Sequence, residues 1–175
     1  MVGNGHERPW RWTAAERAGS TAVPTTPLTA RALPRVDFAD AYAIACRPVM
    51  PVDPQAWADA IFRDPPRWVV AVLGLREALV GLVGIARGGA SSFETPARRT
   101  DEVLLGTDER HLDFRVSVLR EADRVVVSTL VQLHNARGRA YFALVRKAHP
   151  VVVRAMLTRA AHRLSQRSAG PTPTR

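Results

Sequence analysis

The run from Leu104 to His149, LLGTDERHLDFRVSVLREADRVVVSTLVQLHNARGRAYFALVRKAH, constrains the fold more than any other stretch of the chain. Apolar residues alternate with polar ones between short polar breaks, as in antiparallel strands joined by tight turns. The spacing predicts strands over His111–Arg120, Arg124–Asn135 and Arg139–His149, with turns at Glu121–Asp123 and Ala136–Gly138. In the first of these, Leu112, Phe114, Val116 and Val118 face one way while His111, Asp113, Arg115 and Ser117 face the other. The second is apolar on both faces over Val125–Val131, which predicts a central strand covered on both sides. The third sets Tyr141, Ala143 and Val145 against Phe142 and Leu144. Just upstream, Ser92–Arg98 and Glu102–Gly106 predict a hairpin around Arg99–Asp101.

The flanking segments supply elements that need a sheet to cover. Val36–Arg47 alternates Phe38, Tyr42, Ile44 and Cys46 with alanines, a strand pattern ended by Pro48 and Pro51, although so much alanine keeps a helix in competition. Asp53 and Pro54 are N-cap and first-turn residues for a helix to Phe62. A second helix is expected from Arg67 to about Gly84, with Trp68, Val72, Leu75, Leu79 and Leu82–Val83 as its buried stripe. Pro150 reads as the first residue of a last helix whose apolar stripe is Val153, Met156, Leu157, Ala160, Ala161 and Leu164. The Pro-, Thr- and Gly-rich residues 1–35, which include Trp10 and Trp12, read as a disordered leader. Residues 36–165 read as one domain and 166–175 as a disordered tail.

Strand, two helices, an antiparallel meander and a long C-terminal helix is the element order of the α+β helix-grip, or START-like, fold. A twisted antiparallel sheet has one concave apolar face, and a single long helix with a wide stripe closes it. The space between them is often incompletely filled and holds an apolar ligand.

The runs Leu104–Val118, Thr129–Leu157 and Phe62–Val80 together resemble the bacterial domain-of-unknown-function family 2867. The resemblance covers roughly Val36 to Arg163 and implies a START-like layout without an activity to inherit. Some members of that family follow a dinucleotide-binding domain. Here no G-x-G-x-x-G follows a strand, so no NAD(P) chemistry transfers and no cofactor is expected.

Charge and composition narrow the partners. The formal charge of +9 comes almost wholly from scattered arginines, Lys147 being the one lysine. That bias reads as GC-rich bacterial codon usage and not as the dense basic stripe with stacking aromatics that nucleic acid requires. With a single cysteine, no signal-peptide core and no apolar run of spanning length, a cytoplasmic protein with neither nucleic acid nor membrane as partner is expected.

The chemistry-bearing candidates are few. His111, Asp113 and Arg115 share one strand face at about 7 Å between successive members. They read either as a polar patch at a pocket mouth, with His111 and Asp113 available for proton transfer and Arg115 for an anionic group, or as an ordinary solvent-facing stripe. The histidines His111, His134 and His149 match no metal-site spacing, and neither Ser117 nor Ser128 sits in a G-x-S-x-G elbow. The chain is therefore expected to bind a small apolar or amphipathic molecule, with Phe114, Val116, Tyr141, Ala143, Val153, Met156, Leu157 and Trp68 as walls and Arg115 or His111 orienting its polar end. A cyclase- or hydrolase-type enzyme on the same fold and an interaction module with a filled core are the alternatives.

Overall fold

A computed structural model describes residues 17–63, 66–69 and 94–168. Six strands form one antiparallel sheet: β1 (Gly19–Thr21), β2 (Phe38–Ala45), β3 (Glu94–Arg98), β4 (Glu102–Asp108), β5 (Leu112–Arg120) and β6 (Arg124–Leu133). Their spatial order is β1-β2-β6-β5-β4-β3, so the meander β3–β6 is extended by β2, which pairs with the last strand. The helices are α1 (Pro54–Phe62) and α2 (Ala136–Ser168).

Local chemistry explains most of these boundaries. Asp53 caps α1 by accepting a hydrogen bond from the Gln55 N–H at 2.9 Å, and Pro54 fills a first-turn position where no N–H is needed. Trp57 points from α1 into the core, fully buried, with its indole N–H donating to the Pro51 carbonyl at 3.0 Å. The strands expected around Phe38, Leu112 and Arg124, and the β3–β4 hairpin, form within a few residues of their predicted bounds. Of the helix expected from Arg67, residues 67–69 are helical, and the remainder lies outside the described residues.

The region after β6 differs from expectation. Residues Arg139–His149 are not a strand; they are the first half of α2, which runs 33 residues, about 50 Å. Three features decide this. Asn135 caps the helix, its side-chain oxygen accepting from the Gly138 N–H at 2.9 Å. Ala136, Ala140, Ala143, Leu144, Arg146, Lys147 and Ala148 are strong helix formers. Tyr141, Phe142, Val145, His149 and Val153 then recur at helical spacing and continue the stripe of the C-terminal half. Pro150 accordingly sits inside the helix and not at its start. It leaves the Arg146 carbonyl without its usual donor.

Both sheet faces are covered. Tyr42, Ile44, Val116, Val118, Val125 and Val127 pack with Trp57 and Ile61 of α1 and with Leu157, Ala160, Ala161 and Leu164 of α2. On the other face, Val23, Leu28, Ala32 and Leu33 cover Ala41, Leu104, Leu119, Val126 and Leu130. Residues 19–33 therefore do not form the unstructured leader expected up to residue 35: they contain β1, a turn of 3-10 helix at Thr29–Arg31, and the lid over the back of the sheet. At the other end, α2 continues past residue 165 to Ser168, into the expected tail. No helix among the described residues is long and apolar enough to cross a membrane.

Candidate functional site

The alternation of β2 and β6 sets the site. Phe38, Tyr42 and Ile44 face α2, and so must Asp40 between them; likewise Thr129 lies between the inward-facing Val127 and Val131. Asp40 and Thr129 are register partners across the β2–β6 pair. Two polar residues thus stand side by side in an otherwise apolar layer.

Above them, α2 brings His149. Its Nε2 lies 3.2 Å from Asp40 Oδ1 and 3.1 Å from Thr129 Oγ1. The Tyr42 hydroxyl donates to the other Asp40 oxygen at 3.2 Å. Burial, reinforced by the Asp40 charge, pushes the Tyr42 hydroxyl above its ordinary ionisation range, so the phenol is a neutral donor. The Phe38 ring meets the His149 imidazole edge-on, with centroids 6.3 Å apart. Thr129 is 1% exposed, whereas the side chains of Asp40 and His149 keep 18% and 12% of their surface. The quartet is buried at its base and open at its rim.

Such a group orients an imidazole. In the tautomer that carries its proton on Nε2, the imidazole donates to Asp40 and keeps its acceptor at Nδ1. The neighbouring rows of the sheet are apolar: Phe38, Val131 and Phe114 on one side, Tyr42, Val127 and Val118 on the other.

The residues singled out from sequence fall into three groups. Phe114, Val116, Val153, Met156 and Leu157 come together between sheet and α2, with Phe114, Val153 and Met156 only partly buried. Tyr141 joins Phe114, Leu112 and Phe142 at the start of α2. Ala143 lies on the outer face of α2, and Trp68 is 44% exposed, so neither lines this layer.

His111, Asp113 and Arg115 each take a different partner. His111 precedes β5, is buried against the edge of Tyr141, and has Nε2 3.2 Å from Glu109 Oε2, in ion-pair range but out of hydrogen-bond alignment. Asp113 pairs with His134 at 2.9 Å. Arg115, on the sheet face away from α2, lies across Gly106 and pairs with Asp108. A stripe on one strand is thereby spent on three separate local contacts.

Cys46 stands apart from the quartet. Its thiol, half-buried, is pushed up to about 11 chiefly by desolvation. An open surface recess of about 610 Å³ lined by Val52, Asp53, Arg98, Arg99 and Thr100 lies at the start of α1, and its Asp53 and Arg98 already pair at 3.0 Å. Among the described residues no three His, Cys, Asp or Glu side chains converge as a metal ion requires.

The quartet was missed by sequence reasoning because its members are spread over three elements. The usable signal was a polar residue at an inward position of an apolar strand, Asp40 and Thr129 both being cases.

Compared with known proteins, the chain matches the family model "Protein of unknown function (DUF2867)" over residues 32–156. No curated protein and no solved structure matches it.

Proposed function

The chain belongs to the family of proteins of unknown function DUF2867, and we propose that it binds a small amphipathic molecule between the sheet and α2. The polar end of that molecule rests on Asp40, Thr129 and His149. The observation behind this reading is the quartet itself: four polar side chains in an apolar layer, closed at the base by Thr129 and reached from outside past Asp40 and His149. Buried polar groups are costly in such a layer, and an open rim is not needed for packing alone. Phe38, Phe114, Val153 and Met156 are partly buried around it and offer apolar surface to the rest of the ligand. The carboxylate of Asp40 disfavours an anionic head group, so a hydroxyl or carbonyl is the chemistry that fits.

The order of strands and the place of the long helix support the same reading, and with it a helix-grip fold. The first long strand pairs with the last, and a long C-terminal helix packs on the sheet face that carries the quartet.

The test is a thermal-shift screen with long-chain alcohols, sterols and hydroxylated polycyclic aromatics. A ligand present at about 100 times its Kd stabilises by about 2.7 kcal/mol, or about 5–10 °C for a chain of this size. The shift should shrink in Asp40→Asn and His149→Ala. No shift with any class would contradict the proposal. The Asp40–His149 pair also favours a second reading, proton transfer on the bound molecule. Conversion of the ligand on incubation, lost in His149→Gln with binding retained, would establish it.

A further inference from the structure

α2 is unusual on its outer side as well as its inner one. Its 33 residues contain eight arginines and lysines and no aspartate or glutamate. Elsewhere several arginines pair with nearby acids, as in Arg35–Asp37, Arg98–Asp53 and Arg115–Asp108. On α2, Arg137, Arg146 and Lys147 are exposed and pair with no acid among the described residues.

Between these cations the helix is apolar. Leu144 and Val151 are 56% and 62% exposed, seven residues apart and so two turns along one line of the outer face. Ala140 and Ala148 lie exposed on the same side. The inward face, with Phe142, Val153 and Leu157, is already covered by the sheet and α1.

The charge pattern selects the occupant. A second copy would bring an equally basic helix against this one, and like charges at that range repel. Nucleic acid needs cations or stacking aromatics at the centre of the contact, and here the centre is Leu144, Ala148 and Val151. Two large apolar side chains are few for the core of a stable protein interface. A basic helix with a shallow apolar line is what the headgroup region of an anionic bilayer accepts. No helix among the described residues is long and apolar enough to cross a membrane, and a helix lying on the surface needs no such length.

We infer that the outer face of α2, centred on Leu144, Ala148 and Val151 with Arg146 and Lys147 beside them, docks on an anionic lipid surface with the helix in the plane of the headgroups. This stands independently of the ligand reading, since it uses the opposite side of the helix.

The experiment is flotation of the full-length protein with vesicles of phosphatidylcholine alone and of phosphatidylcholine with one quarter phosphatidylglycerol. The protein should float with the anionic vesicles at 50 mM NaCl and not with the neutral ones. Binding should fall at least about tenfold by 500 mM as the Debye length contracts. Arg146→Glu with Lys147→Glu should lower partitioning at least about tenfold, at roughly 1 kcal/mol per charge near the surface. Leu144→Ser with Val151→Ser should lower it severalfold. Both pairs should leave the melting temperature unchanged, because the side chains are exposed. No flotation at 50 mM would overturn the inference, as would equal binding to both vesicle types. Loss only in the charge variant, with competition by a 20-base-pair duplex, would assign the face to nucleic acid instead. Retention on polyglutamate without flotation would assign it to an acidic protein.

Discussion

Replacing Gly138 by alanine tests how the start of α2 is seated. A Cβ built on Gly138 would lie 2.1 Å from the His111 carbonyl oxygen and 3.0 Å from its carbonyl carbon. The obstacle is backbone, and it is tied down, because that oxygen accepts the His134 N–H at 3.1 Å. Moving Gly138 instead would strain its own bond to the Asn135 side chain. Overpacking of this kind costs about 1–3 kcal/mol, towards the upper end when no flexible side chain can yield. Alanine returns about 1 kcal/mol of helix propensity. The net expectation is destabilisation by about 1–2 kcal/mol. In urea, with a slope of about 2 kcal/mol/M, the unfolding midpoint should fall by about 0.5–1 M. Circular dichroism at 222 nm and tryptophan fluorescence should report the same shift. The sign is the useful part: a helix start free of His111 would be stabilised by Gly138→Ala. An unchanged or raised midpoint would refute the packing described for this corner.

Other outcomes follow from single contacts. Thr129→Val removes the hydroxyl 3.1 Å from His149 Nε2 and should cost about 0.5–1.5 kcal/mol; a higher melting temperature would mean that the hydroxyl has no bond to lose. Asp53→Ala deletes both the α1 cap and the Arg98 partner, and a loss of about 1 kcal/mol in a denaturant titration is expected, nearly all from the cap. Because burial holds the Cys46 thiol at about 11, its alkylation at pH 8 should be about two-hundredfold slower than that of a free thiol near 8.5. The rate should then climb about tenfold per pH unit towards pH 11, and a plateau near pH 9 would contradict the assigned burial.

The parts of the fold that were legible are those with one clean period or one explicit punctuation. β5 alternates from Leu112 to Val118, β6 is apolar on both faces but for Ser128 and Thr129 over Val125–Val131, and Asp53-Pro54 marks the start of α1. The first half of α2 was not legible because it is apolar on both sides: Tyr141, Phe142, Val145 and His149 face the protein while Leu144 and Val151 face outwards. A helix with two apolar faces loses its 3.6-residue period, and Pro150 then looks like a beginning. Residues 22–34 cover the back of the sheet through Val23, Leu28 and Leu33 without a regular element for most of their length, so no periodicity announced them. The candidate site failed for a different reason. Asp40, Thr129 and His149 span 109 positions, and only the β2–β6 register and the helical reading of α2 bring them together.

The most direct test of the ligand-binding proposal is native mass spectrometry of the purified full-length chain, compared with Asp40→Asn and His149→Ala. The proposal predicts a stoichiometric adduct of small-molecule mass on the wild-type chain, extractable into organic solvent and diminished in both variants. A bare chain mass, unchanged after incubation with the alcohol, sterol and aromatic panel, would contradict it. An adduct equally abundant on all three proteins would place the ligand away from Asp40 and His149 and contradict it as well.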